Sequence, residues 1–293
     1  MKSLRSTSIW KSAKEKLVNP LRRAAFETVY RGYLPLMCFD SPNWGDALSP
    51  VLAGKLSGKP IKPMLWHHQH RYLAIGSVLS NATRWAEVWG SGFLYEHEKL
   101  AEAPMAVHAV RGPRSRAKLL EQGFDCPEIY GDPALLFPYF FNPVVETKYE
   151  IGVIPHYSDK GHPWFERQRG LPGVHILDVE GGIEEFVREV KACKQIVSSS
   201  LHGLICADAY GVPNLWVEVS DQVDGGSFKF NDYYESVGRG TPTPVRPVLD
   251  TLLAEVMDRF TPSTWKFDPR PLINACPFMA AGVRGKLLVQ TAG

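Results

Sequence analysis

Six short stretches carry side chains suited to acid–base or anion chemistry. Ser198-Ser199-Ser200-Leu201-His202-Gly203 joins an apolar strand to an apolar helix. Hydroxyls there cap the helix and leave backbone N–H groups facing any bound anion. His202 falls in the first turn, where a histidine beside a bound phosphate can be held protonated and act as an acid. Val110-Arg111-Gly112-Pro113 also follows a strand. The Arg111 fork suits a carboxylate or phosphate, or else an ion pair. Asn43-Trp44-Gly45-Asp46 offers an amide, an indole and a carboxylate, with Asp46 either a general base or a helix cap. Asp132, in Gly131-Asp132-Pro133-Ala134, either orients a neighbour, binds a sugar hydroxyl, or shapes a turn. His156 and Tyr157 end a strand, and Gly225-Gly226-Ser227-Phe228-Lys229-Phe230 reads as a flexible loop with one lysine.

Other patterns fail. Gly54 to Lys59-Pro60 is one residue short of a phosphate-binding P-loop, and Pro60 replaces the required hydroxyl. No G-x-G-x-x-G opens a helix, which argues against a nicotinamide enzyme, and no G-x-S-x-G elbow is present. His67-His68-Gln69-His70 lacks a helix face or cysteine partners, so no metal site is expected.

These residues need elements to hold them. Strands are expected at 33–39, 72–78, 87–93 and 105–110, with helices at 46–56 and 114–122. After an aromatic, proline-bracketed linker at 137–143 the alternation restarts. Strands at 149–155, 174–179, 195–199 and 214–219 interleave with helices at 182–193 and 201–210, and a helical segment follows near 247–260. Alternation of this kind predicts an α/β fold with parallel sheets. The expected organisation is a basic leader at 1–30, one Rossmann-like unit at 31–143, and a second at 144–293 with a helical C-terminal segment. In such sheets ligands bind beyond the carboxyl ends of the strands, where most of the residues above fall. Trp44, Trp89 and Trp216 either stack on sugar rings or fill the core.

Composition narrows the class. With 293 residues, 44% hydrophobic and 22% charged, the chain can build sizeable cores without disulfides. A net charge of +2 argues against a nucleic-acid binder. Five scattered cysteines with no C-x-x-C pair read as reduced thiols. No apolar run is long enough to cross a bilayer. The leader, with Lys2, Arg5, Lys11, Lys14, Lys16, Arg22 and Arg23 among Leu4, Ile9, Trp10 and Leu17, does not read as a signal peptide. It is either solvated or laid on an anionic membrane surface. A cytoplasmic location, at most peripheral to the inner face of the membrane, follows as the expectation.

Taken in order, Asn43–Asp46, Trp89-Gly90-Ser91-Gly92, Val110–Pro113, Gly131–Leu135, Ile154–Tyr157, Ser198–Leu204, Ala207–Pro213 and Gly226–Tyr234 resemble the polysaccharide pyruvyl transferase family. The likeness is greatest to its bacterial exopolysaccharide, succinoglycan-type branch, and it spans residues 33–240. The resemblance implies a glycosyltransferase-B-like pair of Rossmann-like domains with the active site in the cleft between them. It implies phosphoenolpyruvate as donor, a glycan or lipid-linked oligosaccharide as acceptor, and no metal or redox cofactor. It makes His202 and Asp46 catalytic, places Arg111, Ser200 and Leu201 on the donor, and leaves Asn43, Trp44, Asp132 and His156 for the acceptor or the cleft. Many members carry arginine where Ser200 stands, so another cation must meet the phosphate, and Lys229 is the candidate. A nucleotide-sugar glycosyltransferase of the same fold and a non-catalytic glycan-assembly partner are the alternatives.

Overall fold

The computed structural model describes residues 28, 31–65, 68–260 and 266–291, so the basic leader, Trp66 and His67 lie outside the described residues. Two parallel sheets carry the fold. The first contains β1 (Leu34–Leu36), β2 (Ile61–Pro63), β3 (Arg71–Leu73), β4 (Ala86–Trp89) and β5 (Ala106–Ala109), in the order β2-β1-β3-β4-β5. The second contains β6 (Tyr149–Ile154), β7 (Val174–Ile176), β8 (Cys193–Ser198) and β9 (Asn214–Trp216), in the order β7-β6-β8-β9. Every pairing within them is parallel.

Parallel neighbours need a crossover, commonly a helix. Helix α1 (Trp44–Ser57) joins β1 to β2, and α2 (Pro113–Glu121) follows β5. In the second sheet α3 (Pro163–Gln168), α4 (Ile183–Lys191) and α5 (Leu201–Ala209) make the three crossovers. Helix α4 buries Phe186, Val187 and Val190, which recur at i, i+1 and i+4 on one face. In each sheet the strand order reverses beside the first strand, between β1 and β3 and between β6 and β8. Such switch points open a crevice at the carboxyl ends of the strands. Asn43 to Asp46 follow β1 and Ser77 follows β3, while His156 follows β6 and Ser199 to His202 follow β8.

Three expectations change. The stretch around Phe137 is part of a 3₁₀ helix, Pro133–Tyr139, in which Phe137 is buried against Trp44. Its aromatics fill core because they lie between α1 and α5. The loop expected around Lys229 is an eleven-residue helix, α6 (Gly226–Ser236), whose two opening glycines disguise the pattern after them. Beyond a short α7 (Leu253–Met257), helices α8 (Pro269–Ala275) and α9 (Ala281–Gln290) end the described chain. They pack on the first sheet's side: Trp89 Nε1–H donates to Leu272 O at 2.9 Å, and Phe278 meets the rings of Tyr72 and Trp89. The five cysteines are free thiols. No described helix is long and apolar enough to cross a membrane.

Candidate active site

His202 is the meeting point of the two sheets. Asn43 caps α1, its side-chain Oδ1 accepting from the Gly45 N–H at 3.3 Å, and the same oxygen lies 2.7 Å from His202 Nδ1. An amide oxygen only accepts, so Nδ1 carries the proton and Nε2 presents its lone pair in the neutral ring. Gly45 lies flat beneath the imidazole: a Cβ there would sit 2.3 Å from Nδ1, Cε1 and Nε2. Burial pushes the His202 pKa below its ordinary value. Asp46 and Asp132 act against this, and Lys229 and Arg111 reinforce it. The free protein therefore holds His202 neutral at pH 7, and an arriving anion would raise its basicity.

Asp46 is not the cap; Asn43 takes that place. Asp46 sits half-buried in the first turn, accepts from Ser41 Oγ at 3.2 Å, and faces Gly76 after β3. Trp44, expected at the cleft or acceptor, is only 1% exposed. Its N–H donates to Val179 O at 2.8 Å, its Nε1–H donates to Ile183 O at 3.2 Å, and Phe137 and Phe186 pack on its ring. No face remains for a sugar. Trp89 is equally enclosed, and Trp216 stacks on Phe230 with centroids 4.4 Å apart.

Arg111 is 1% exposed, and four of its five N–H donors are engaged. Nε and Nη2 donate to Asp232 Oδ2 at 3.0 Å, Nη2 to Phe93 O at 2.7 Å, and Nη1 to Ser77 Oγ at 2.6 Å. A buried guanidinium without a carboxylate would be costly, and Asp232 from α6 supplies one. The fork of Arg111 is thus turned inward onto Asp232, and one Nη1–H is left without a partner among the described residues. Asp232 also accepts from the Ser115 N–H at 2.8 Å and Ser115 Oγ at 2.7 Å, capping α2. Sequence reading missed Asp232, because only the recognition of α6 as a helix brings it opposite α2. Asp208 is also buried and internally engaged, accepting from Asn214, Tyr233 and Arg239.

The cation left over is Lys229. It occupies the first turn of α6, is 7% exposed, and its Nζ has no hydrogen-bond or ion-pair partner among the described residues. Burial first, then Arg111, brings its pKa down to about 8, while Asp224, Asp46 and Asp159 oppose the shift. It is still mostly charged at pH 7. Lys229 depresses the pKa of both His202 and His156, which places all three in one field.

The serine run divides its labour. Ser199 Oγ donates to Asp159 at 2.7 Å and accepts the His156 N–H at 2.9 Å. Ser200 Oγ caps α5 by accepting from the Gly203 N–H at 3.4 Å, and its own N–H goes to Ser198 Oγ. The N–H groups of Leu201 and His202 have no partner among the described residues. His156 is buried, and its Nδ1 accepts from the Ser158 N–H at 3.3 Å, so the neutral ring carries its proton on Nε2. Burial, with Lys229 and His202 adding to it, takes its pKa down to about 3. It is a neutral donor at any physiological pH. Asp132 is fully buried: Oδ1 accepts from the Ala134 N–H at 2.9 Å, and Oδ2 has no hydrogen-bond partner among the described residues. Burial raises its pKa despite the opposing pull of His202, Ala134 and Arg111.

In the histidine run at 67–70, His70 Nε2 faces Glu87 at 2.7 Å, and His108 holds the other Glu87 oxygen. Among the described residues no group of three or more His, Cys, Asp or Glu is placed to hold a metal.

A parallel α/β protein with an imidazole, an unpaired ammonium and free helix N–H groups at its switch points is built to handle an anion at an acid–base centre. Residues 88–221 match the family model described as polysaccharide pyruvyl transferase. The chain is 30% identical over 176 residues to the succinoglycan biosynthesis protein ExoV of Rhizobium meliloti (strain 1021), across 57% of this chain and 53% of that protein. It is 28% identical over 211 residues to the uncharacterized protein L143 of Acanthamoeba polyphaga mimivirus, across 67% of this chain and 71% of that one. The match thus spans about half the length of the succinoglycan protein. Residues 88–221, a little under half of the chain, thus carry a likeness to polysaccharide pyruvyl transferases. Arg111, Asp132, His156 and His202 lie inside the matched stretch, whereas Asn43, Asp46, Lys229 and Asp232 lie outside it.

Proposed function

We propose that this chain moves the pyruvyl group of phosphoenolpyruvate onto two hydroxyls of a cell-surface glycan precursor, closing a pyruvate ketal. The observation that carries the reading is buried Lys229, whose ammonium lies over the Phe230 ring but has no hydrogen-bond or ion-pair partner among the described residues, in one field with His202 and the open N–H groups of Leu201 and His202. A phosphorylated carboxylate is the kind of ligand that pairs with a cation lacking a counter-charge and with two orphan N–H groups together. The two sheets are read as a glycosyltransferase-B-like pair with the donor between them. A lipid-linked acceptor would place the reaction at the cytoplasmic face of a membrane.

The bound trianion raises the basicity of His202, which takes up a proton on Nε2 and delivers it to C3 of the enol. Positive charge then develops at C2, beside the donor's own carboxylate. An acceptor hydroxyl adds to C2 and Asp46 takes its proton. The C2–O bond to phosphate breaks, the second hydroxyl adds, and the ketal ring closes. Of the two hydroxyl protons released, one replaces the proton delivered to C3 and the other leaves with the phosphate. Asn43 fixes the imidazole tautomer, His156 Nε2–H is a neutral donor to an oxygen of either substrate, and Arg111 contributes its field through the Asp232 pair.

Phosphate release from phosphoenolpyruvate, with and without a lipid-linked oligosaccharide extract, tests the reading. Acceptor-dependent release is expected, with His202→Ala lowering it about 10²–10⁴-fold while the fold is retained. Binding of a nucleotide sugar without any phosphate release would move the chain to the glycosyltransferase reading.

A further inference from the structure

Beside the donor residues lies a cavity of about 300 Å³ that the mechanism above does not use. It opens at the carboxyl end of β9 and the start of α6, over a floor of Trp216 and Phe230. Ser199 and Gly225 line it, and both also touch the proposed donor site. Ser199 Oγ holds the His156 N–H at 2.9 Å, and the position of a Cβ on Gly225 would lie 3.1 Å from Lys229 Cδ. Tyr95, from the loop after β4, closes the cavity by donating its hydroxyl to Asp224 Oδ1 at 2.8 Å.

The lining selects its ligand. Three carboxylates, Glu218, Asp221 and Asp224, meet one guanidinium, Arg246, and that one is paired with Glu218 at 3.0 Å. A diphosphate would be repelled by the remaining charge. A polyhydroxyl compound would instead donate to the carboxylates and exchange hydrogen bonds with Ser227, whose hydroxyl has no partner among the described residues. The volume is at the small end of ligand pockets, enough for one or two sugar rings.

We propose that this cavity is the acceptor subsite and holds a neutral sugar residue of the glycan, with Asp224 and Ser227 orienting its hydroxyls toward Lys229 and His202. The assignment rests on the pyruvyl transfer reading for its role, but the sugar binding can be measured without turnover.

The test uses Ser227→Trp, which fills the cavity from an exposed first-turn position, and Asp224→Asn, which keeps its shape. Saturation-transfer NMR with neutral glucose- and galactose-containing trisaccharides reads the cavity, and the rise in melting temperature with phosphoenolpyruvate reads the donor site. The expected result is trisaccharide signal in the wild type, its loss in Ser227→Trp and at least a tenfold weakening in Asp224→Asn, with the phosphoenolpyruvate shift unchanged in Ser227→Trp. With turnover, the acceptor KM rises at least tenfold in both variants, and the donor KM stays within twofold in Ser227→Trp. No trisaccharide signal in the wild type, a signal indifferent to Ser227→Trp, or displacement of the sugar by uridine diphosphate overturns the proposal. A wild type that binds trisaccharide but gains no stability from phosphoenolpyruvate sinks the pyruvyl reading instead and leaves the sugar site standing.

Discussion

Replacing Gly45 with alanine strikes the imidazole without touching any charged group. The added Cβ would begin 2.3 Å from three atoms of the His202 ring. Non-bonded carbons settle at about 3.5–4.0 Å, so the ring must retreat by roughly 1.2 Å or more. That motion breaks the 2.7 Å bond from Nδ1 to Asn43, and with it the tautomer lock. Displacing a reacting group by about 1 Å can cost on the order of 100-fold in rate, or ~2.7 kcal/mol in the barrier. Stability moves less. Overpacking costs about 1–3 kcal/mol, and alanine returns about 1 kcal/mol of helix propensity. The net loss is ~0–2 kcal/mol, so the variant should fold. The assay is acceptor-dependent phosphate release alongside a melting curve, with nitrogen-15 NMR of the histidine rings reporting the Nδ1–H tautomer. Activity within threefold of the wild type, with His202 still protonated on Nδ1, would refute the claim that Gly45 and Asn43 set the catalytic geometry.

Lys229→Met should abolish phosphoenolpyruvate binding yet raise the melting temperature, because a buried cation with its pKa brought from 10.5 to about 8 opposes folding at pH 7, by at most ~3 kcal/mol. The sign follows from linkage: between pH 8 and 10.5 the unfolded chain binds more protons at this residue, so wild-type stability gains from Lys229 as pH rises through that window, and the variant should lose the gain in urea titrations. Donor affinity should fall over the same rise, as the ammonium deprotonates above about pH 8. Asp232→Asn should destabilise by about 3–5 kcal/mol in denaturant unfolding, since it leaves Arg111 buried without its counter-charge. Gly112→Ala should prevent soluble folding altogether, as its Cβ would sit 1.7 Å from the Asp232 carbonyl oxygen, which is backbone and has no rotamer to yield.

The strands and crossovers of the second sheet were legible because strand and helix alternate there without interruption, and β6, β8 and α5 lie within a residue or two of where apolar runs place them. The first sheet was harder. Its strands run only three or four residues, and β2, Ile61–Pro63, contains one apolar side chain beside lysine and proline. Helix α6 was hidden by Gly225 and Gly226, which take positive φ at its start and mimic a flexible loop. That one misreading concealed both the burial of Lys229 and the existence of Asp232 as the partner of Arg111. The chemistry-bearing residues themselves stood out by type and by position after strands. What spacing cannot express is how many donors a guanidinium has left, and so Arg111 looked available while Trp44 looked like a platform. Trp44 is closed by a partner 139 residues away, and Arg111 has all but one of its N–H donors engaged, chiefly by Asp232, 121 residues away.

The return of α8 and α9 to the first sheet has a temporal consequence. Trp89 must wait for the carbonyl of Leu272, 183 residues later in the chain. At synthesis rates of about 5–20 residues per second, that wait is roughly 10–40 s. Through it, the aromatic face shared by Tyr72 and Trp89 has no Phe278 to cover it. The first unit therefore emerges early and is completed last, with the second sheet folding in the interval. Chaperone binding during synthesis should map to this face, and stalled chains ending before residue 269 should hold it open.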